Sequence, residues 1–170
     1  MSLFGIGKTH KVTPESIHQH FACRKKHVLM IANKFLATHP KAGEPTHFYE
    51  KILSGEKKHT IRQNYDKWAK KAEQINNATH VLVAKEWTGK PYCSPQKILF
   101  YQAKLVVQKL DILPQQNLIY IDDQLFLRPK ETIANNDGLS IEDFVNWFSY
   151  KKPTDLQNLA ILHFSHKFKY

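Results

Sequence analysis

The sequence predicts an α+β fold: a small β-barrel of about six short strands with short helices packed around it. Three observations predict it. Apolar runs are short and β-compatible, as in Val28-Leu29-Met30-Ile31 and Val81-Leu82-Val83-Ala84, and segments rich in Pro, Gly and Asn separate them. Helical periodicity is confined to brief stretches that carry their own start or stop signals. The 170 residues, 42% apolar and 12% aromatic, are enough for one buried core and exclude a disordered chain.

Residues 1–26 read as a basic N-terminal extension, and residues 27–170 as the folded domain. Thr13-Pro14-Glu15 is a helix start, with a capping Thr, Pro in the first turn and an acid beside it; Ile17 and Phe21 lie four apart, so a short helix is expected over 14–22. The first strand follows over 27–31. A loop dense in Pro and Gly, His39-Pro40-Lys41-Ala42-Gly43-Glu44-Pro45, leads to Thr46, which caps a short helix. Phe48 and Ile52 share a face of that helix, and Gly55 stands where a terminating glycine belongs. A strand is expected over 58–62, a polar loop or short helix over 65–76, and a strand over 79–87. Thr88-Gly89-Lys90-Pro91 then turns the chain into one long strand within 96–111. Asp122-Asp123-Gln124 marks a tight hairpin between 118–121 and 125–127. Pro129 starts a helical turn. Ser140 and Asp143 have near capping-box spacing for a second helix, with Ile141, Phe144, Val145 and Phe148 as its apolar stripe. A final strand covers 159–164.

The net charge is +10, and it is lopsided: residues 1–75 hold 14 Lys and Arg against 6 Asp and Glu. Such a distribution gives one face a positive potential that attracts polyanions. No run is long and apolar enough to span a bilayer, and no signal peptide is recognisable, so a cytoplasmic protein without a membrane partner is expected. Cys23 and Cys93 make neither a disulfide framework nor a zinc site. The pairs His18/His20 and His163/His166 lack acids or Cys at ligand spacing, and no metal or cofactor is expected. Gly5-Ile6-Gly7-Lys8-Thr9 ends like a phosphate loop, but Ser2 stands where the first glycine is required.

The segment Gly55-Glu56-Lys57-Lys58-His59-Thr60-Ile61-Arg62 carries the richest chemistry. On a strand, Lys58, Thr60 and Arg62 project to one face, and His59 and Ile61 to the other. Lys57 lies at the turn and can reach either. An Arg fork, a Lys point charge and a hydroxyl suit an anion or a carbonyl. A Lys with its pKa lowered by burial can act as base to the Thr hydroxyl. The bland reading is an exposed strand with solvated charges. Trp68 and Tyr92, set among Lys, Pro and Asp, are the aromatics expected to be exposed and to stack on bases, with Lys90 beside Tyr92.

The pattern G-x-K-x-x-T-x-R after a short helix resembles the hallmark of the ASCH superfamily, whose fold is a PUA-like barrel. The segment 134–144, Ala134-Asn135-Asn136-Asp137-Gly138-Leu139-Ser140-Ile141-Glu142-Asp143-Phe144, is similar to the place where that superfamily sets an acid before a capped helix. The resemblance covers about residues 27–165. Some members are amidohydrolases of acetylcytidine nucleosides that use a Lys, a Thr and a Glu. The resemblance therefore implies Lys57, Thr60 and Asp137 as catalytic residues, with Asp one methylene shorter than Glu. Other members are linked to binding or cleaving RNA. The expected function is an RNA- or nucleotide-binding domain with a Lys/Thr/Arg pocket. The alternatives are an amidohydrolase on an acylated cytidine, a ribonuclease, or an accessory protein whose basic arm contacts a nucleic-acid complex.

Overall fold

Two runs of apolar residues fix the centre of the molecule. Val81-Leu82-Val83-Ala84 and Leu159-Ala160-Ile161-Leu162 are almost wholly buried, the pattern of strands covered on both faces. A computed structural model describes residues 21–149 and 151–170 of the chain. The helix expected over 14–22 and the Gly5–Thr9 motif lie essentially outside them.

The class is α+β, with eight strands in two sheets among the described residues. In the three-stranded sheet, β1 (Lys25–Met30) runs parallel to β3 (His80–Trp87), which forms an antiparallel hairpin with β4 (Gln96–Gln102). The five-stranded sheet is antiparallel, in the order β2 (His59–Gln63), β8 (Leu159–His163), β5 (Val106–Leu113), β6 (Leu118–Ile121), β7 (Gln124–Leu125). Four helices complete the fold: α1 (Phe48–Ser54), α2 (Tyr65–Asn76), α3 (Lys130–Asn136) and α4 (Ile141–Phe148). No helix among the described residues is long and apolar enough to cross a membrane.

Three elements differ from the sequence expectation. The stretch 65–76 is a full three-turn helix. Asn64 caps it by accepting from the Lys67 amide, and Trp68, Ala72 and Ile75 point inward at helical spacing, against β3 and β5. Trp68 is therefore a core residue, 7% exposed, and not a surface platform for a base; the Lys71 ammonium lies 4.0 Å from its ring centroid. The single long strand of 96–111 is two strands in different sheets. Asn76 makes the break: its side-chain amide donates to the Leu105 carbonyl and accepts from the Leu105 amide, both at 3.0 Å. The buried Leu105 then turns the chain from one sheet to the other. Finally, β1 begins at Lys25, inside the segment read as an extension.

Side chains stitch the two sheets together. The Arg62 guanidinium, on edge strand β2, donates to the Met30 carbonyl at the end of β1 (2.6 Å). Gln102, at the end of β4, donates to the His163 carbonyl on β8 (2.9 Å). The β6–β7 hairpin is the tight turn the sequence predicts, with Asp122 and Asp123 both at positive φ, as a two-residue turn of that hand requires.

Candidate functional site

The α1–β2 turn delivers Lys57. Gly55 ends α1 in the left-handed region (φ 80°) and reverses the chain, so that Lys57 turns inward. Its amide donates to the Lys51 carbonyl, while the next amide, of Lys58, donates to the Asn136 carbonyl at 2.7 Å. That second bond docks the α3–α4 loop onto the turn and brings Asp137 to Lys57. Gly138 follows at φ +74°, and a Cβ there would stand 3.0 Å from the Lys57 Cβ. Only glycine combines that backbone with that approach.

Lys57 is the largest fully buried side chain among the described residues. Its ammonium donates to the Asp137 backbone carbonyl and to Asp137 Oδ1 at 2.7 Å. It also lies 4.1 Å from the centroid of the Phe48 ring. Lys57, Thr60, Arg62 and Asp137 line one cavity, with Ile31, Ala32, Phe48, Ile61, Trp147 and Phe148 as the remaining wall. The cavity measures about 20 Å³, room for a single water molecule. The structure thus brings together residues up to 80 positions apart in the chain.

The other proposed site residues fall elsewhere. Lys58 does not share the face of Thr60; it is exposed, with its ammonium 5.3 Å from the Phe168 ring. The alternation expected for β2 assumes one solvent face. Instead His59, Thr60 and Ile61 are all buried: His59 meets Tyr170, while Thr60 and Ile61 line a cavity with Ile31, Ala32 and Phe48. Arg62 lines the cavity, and two of its five N–H groups donate to the Ile61 and Met30 carbonyls. Tyr92 is 90% exposed and tilts against Trp87, with Lys90 exposed in the same turn; neither Tyr92 nor Lys90 lines the cavity.

Behind the ion pair lies a layer that sequence reasoning missed. His59 is fully buried, and its Nδ1 stands 3.6 Å from Asp137 Oδ1, too long for a direct hydrogen bond. Its Nε2 is 2.7 Å from the Tyr170 hydroxyl, which also accepts from Asn136 Nδ2 at 3.0 Å. Opposite His59 on β8 sits His163, paired through Nε2 with Gln108. No spacing rule links Tyr170 to this site; only His59, inside the motif, offered a signal.

The electrostatics follow from burial. Desolvation lowers the Lys57 pKa, and the Asp137 carboxylate opposes that shift. Burial alone would raise Asp137, but Lys57 and His59 together hold its carboxyl below the usual range. Burial also pushes down His59, Arg62 and His163, the last to about 4. Burial thus disfavours charge on Lys57 and His59, while the contact with Lys57 favours the ionised Asp137 carboxylate.

The chain matches no family model, no curated protein and no solved structure.

Proposed function

We propose that the chain is an ASCH-type protein with a PUA-like barrel, opened into two sheets and closed by side-chain stitches, which acts as an amidohydrolase on an acylated cytidine-type nucleoside or nucleotide. One observation carries the reading: a buried Lys, a Thr and an Asp, brought from separate elements, line a single aromatic-walled cavity. Burying a lysine and an aspartate is costly, and a chain that needed only stability would do as well with apolar residues of similar size.

The chemistry runs from the lowered Lys57 pKa. Neutral Lys57 takes the proton of the Thr60 hydroxyl, and Thr60 Oγ attacks the amide carbonyl carbon. The C–N bond breaks as the Lys57 ammonium returns its proton to the leaving amine. Water then cleaves the Thr60 ester and releases the acid. Phe48, Trp147 and Phe148 offer flat apolar surface to a base. A base is larger than the cavity, so its entry must part Trp147 from Phe35 and Phe48, against which it packs at 5.8 and 5.7 Å. The test is release of acetate from acetylcytidine by the purified protein, abolished by Lys57→Ala and by Thr60→Ala. No turnover across a panel of acylated nucleosides overturns the reading.

A second reading, RNA or nucleotide binding without turnover, rests on a different observation. In this closed state the Lys57 ammonium is taken up by the Asp137 carbonyl, the Asp137 carboxylate and the Phe48 ring. A lysine so held serves as a fixed charge. On that reading, affinity for RNA falls steeply as salt rises.

A further inference from the structure

His59 is a fully buried titratable group beside the site, and the hydrolytic scheme gives it no task. Its proton can be placed by bookkeeping. Asn136 Nδ2 can only donate, so the Tyr170 hydroxyl accepts from it at 3.0 Å. The hydroxyl then directs its own proton along the 2.7 Å contact to His59 Nε2. A neutral imidazole that accepts at Nε2 carries its proton on Nδ1. That Nδ1 is a buried polar atom with no hydrogen-bond partner, aimed at Asp137 Oδ1 from 3.6 Å. The opposite tautomer would turn a lone pair toward a carboxylate.

Unpaired buried donors are rare and costly in a settled structure. Here the donor waits beside an oxygen that Lys57 already occupies. We infer that His59 is a positioning residue for Asp137: when Lys57 turns from the carboxylate toward Thr60, His59 Nδ1–H closes onto Oδ1 and keeps the carboxylate ionised and in place, with Tyr170 and Asn136 fixing the tautomer. The inference rests on the hydrolase reading and deepens it. It explains how Lys57 can leave its partner without stranding a buried charge. The charged and titratable groups that face His59 are Asp137 from the α3–α4 loop, Lys57 and Lys58 from its own segment, His163 from β8 and Tyr170 from the final segment.

Two near-isosteric variants separate this role from simple packing. The Asn amide reproduces the position of Nδ1, and the Gln amide that of Nε2. His59→Asn therefore keeps a donor for Asp137 and loses the Tyr170 bond; His59→Gln does the reverse. With acetylcytidine as substrate, His59→Gln is expected to lower kcat about tenfold or more at nearly unchanged KM. The acid limb of its kcat–pH profile should also move to higher pH, since the working carboxylate has lost its donor. His59→Asn should keep kcat within a few-fold of the unsubstituted protein, with the limb unmoved. The reverse order of damage, or equal effects of the two, overturns the inference and leaves the hydrolase reading standing. No turnover by the unsubstituted protein removes both. If either variant fails to fold, Tyr170→Phe decides: it frees the tautomer, so a several-fold loss of kcat with the same limb shift supports the role, and an unaltered profile refutes it.

Discussion

Two lysine–aspartate pairs in this protein have the same N···O distance, 2.7 Å, and opposite surroundings. Lys57–Asp137 is 1% and 7% exposed, while Lys109–Asp123 is 30% and 74% exposed. In the buried pair each ion has lost its water, and the partner replaces it. In the exposed pair water remains available to both, and Lys109 also approaches Asp111 at 3.4 Å. Distance alone therefore says little about what an ion pair contributes. Removing one partner of the buried pair strands a charge; removing one partner of the exposed pair hands its mate back to solvent.

Breaking the buried pair gives the largest expected effect. Lys57→Ala should destabilise the protein by roughly 3–5 kcal/mol in urea unfolding, because the buried Asp137 carboxylate loses the ammonium that pairs with it, and a neutral His59 donor does not replace that charge. The double change Lys57→Met with Asp137→Leu should recover most of that stability while leaving no activity, since apolar groups of similar size fill the space without charge. If the double variant is no more stable than Lys57→Ala, the charge account fails and packing around Phe48 and Gly138 takes its place.

The next effect comes from pH. His163 is fully buried, and its pKa falls from 6.5 to about 4. Between those values the unfolded chain binds a proton that the folded chain refuses. Stability is thus complete above about pH 6.5 and declines as pH falls toward 4, by on the order of 2–3 kcal/mol. His163→Gln should flatten that slope. The depressed Asp137 acts in a separate window: its contribution is present above the ordinary carboxylate range and is lost at more acid pH, as the folded carboxyl takes its proton.

Gly138→Ala sharpens the comparison by moving the buried pair without discharging it. The positive φ and the 3.0 Å approach to Lys57 Cβ predict a loss of about 1–2 kcal/mol. Activity should fall further than stability, because Asp137 shifts relative to Thr60. At the small end, Lys109→Ala should leave the unfolding midpoint within experimental error. A clear shift there would show that the exposed pair is not solvent-screened.

Local signals made much of the fold legible. Ser140 caps α4, as its spacing to Asp143 indicated, and Gly55 ends α1. Helix α2 was readable too, since Trp68, Ala72 and Ile75 lie at helical spacing; its many polar residues masked the stripe and made Trp68 look exposed. The break at Leu105 was not readable, because its cause is a side chain, Asn76, that is distant in sequence. The site shows the same division. Lys57, Thr60, Arg62 and Asp137 were singled out by motif, and they meet. Which lysine turns inward depends on the docking of Asn136 onto Lys58, which strand alternation does not contain. Tyr170 carries no local signal at all.

The 80-residue gap between Lys57 and Asp137 also bears on the time course of folding. Closing so long a loop is slow compared with forming α1 or the β6–β7 hairpin. The site is therefore assembled after the local elements, and Lys57 keeps its hydration until Asp137 arrives. Recovery of turnover during refolding from urea should then lag the return of helical signal. The interval between the two would time the arrival of the α3–α4 loop, with the proposed reaction as the clock.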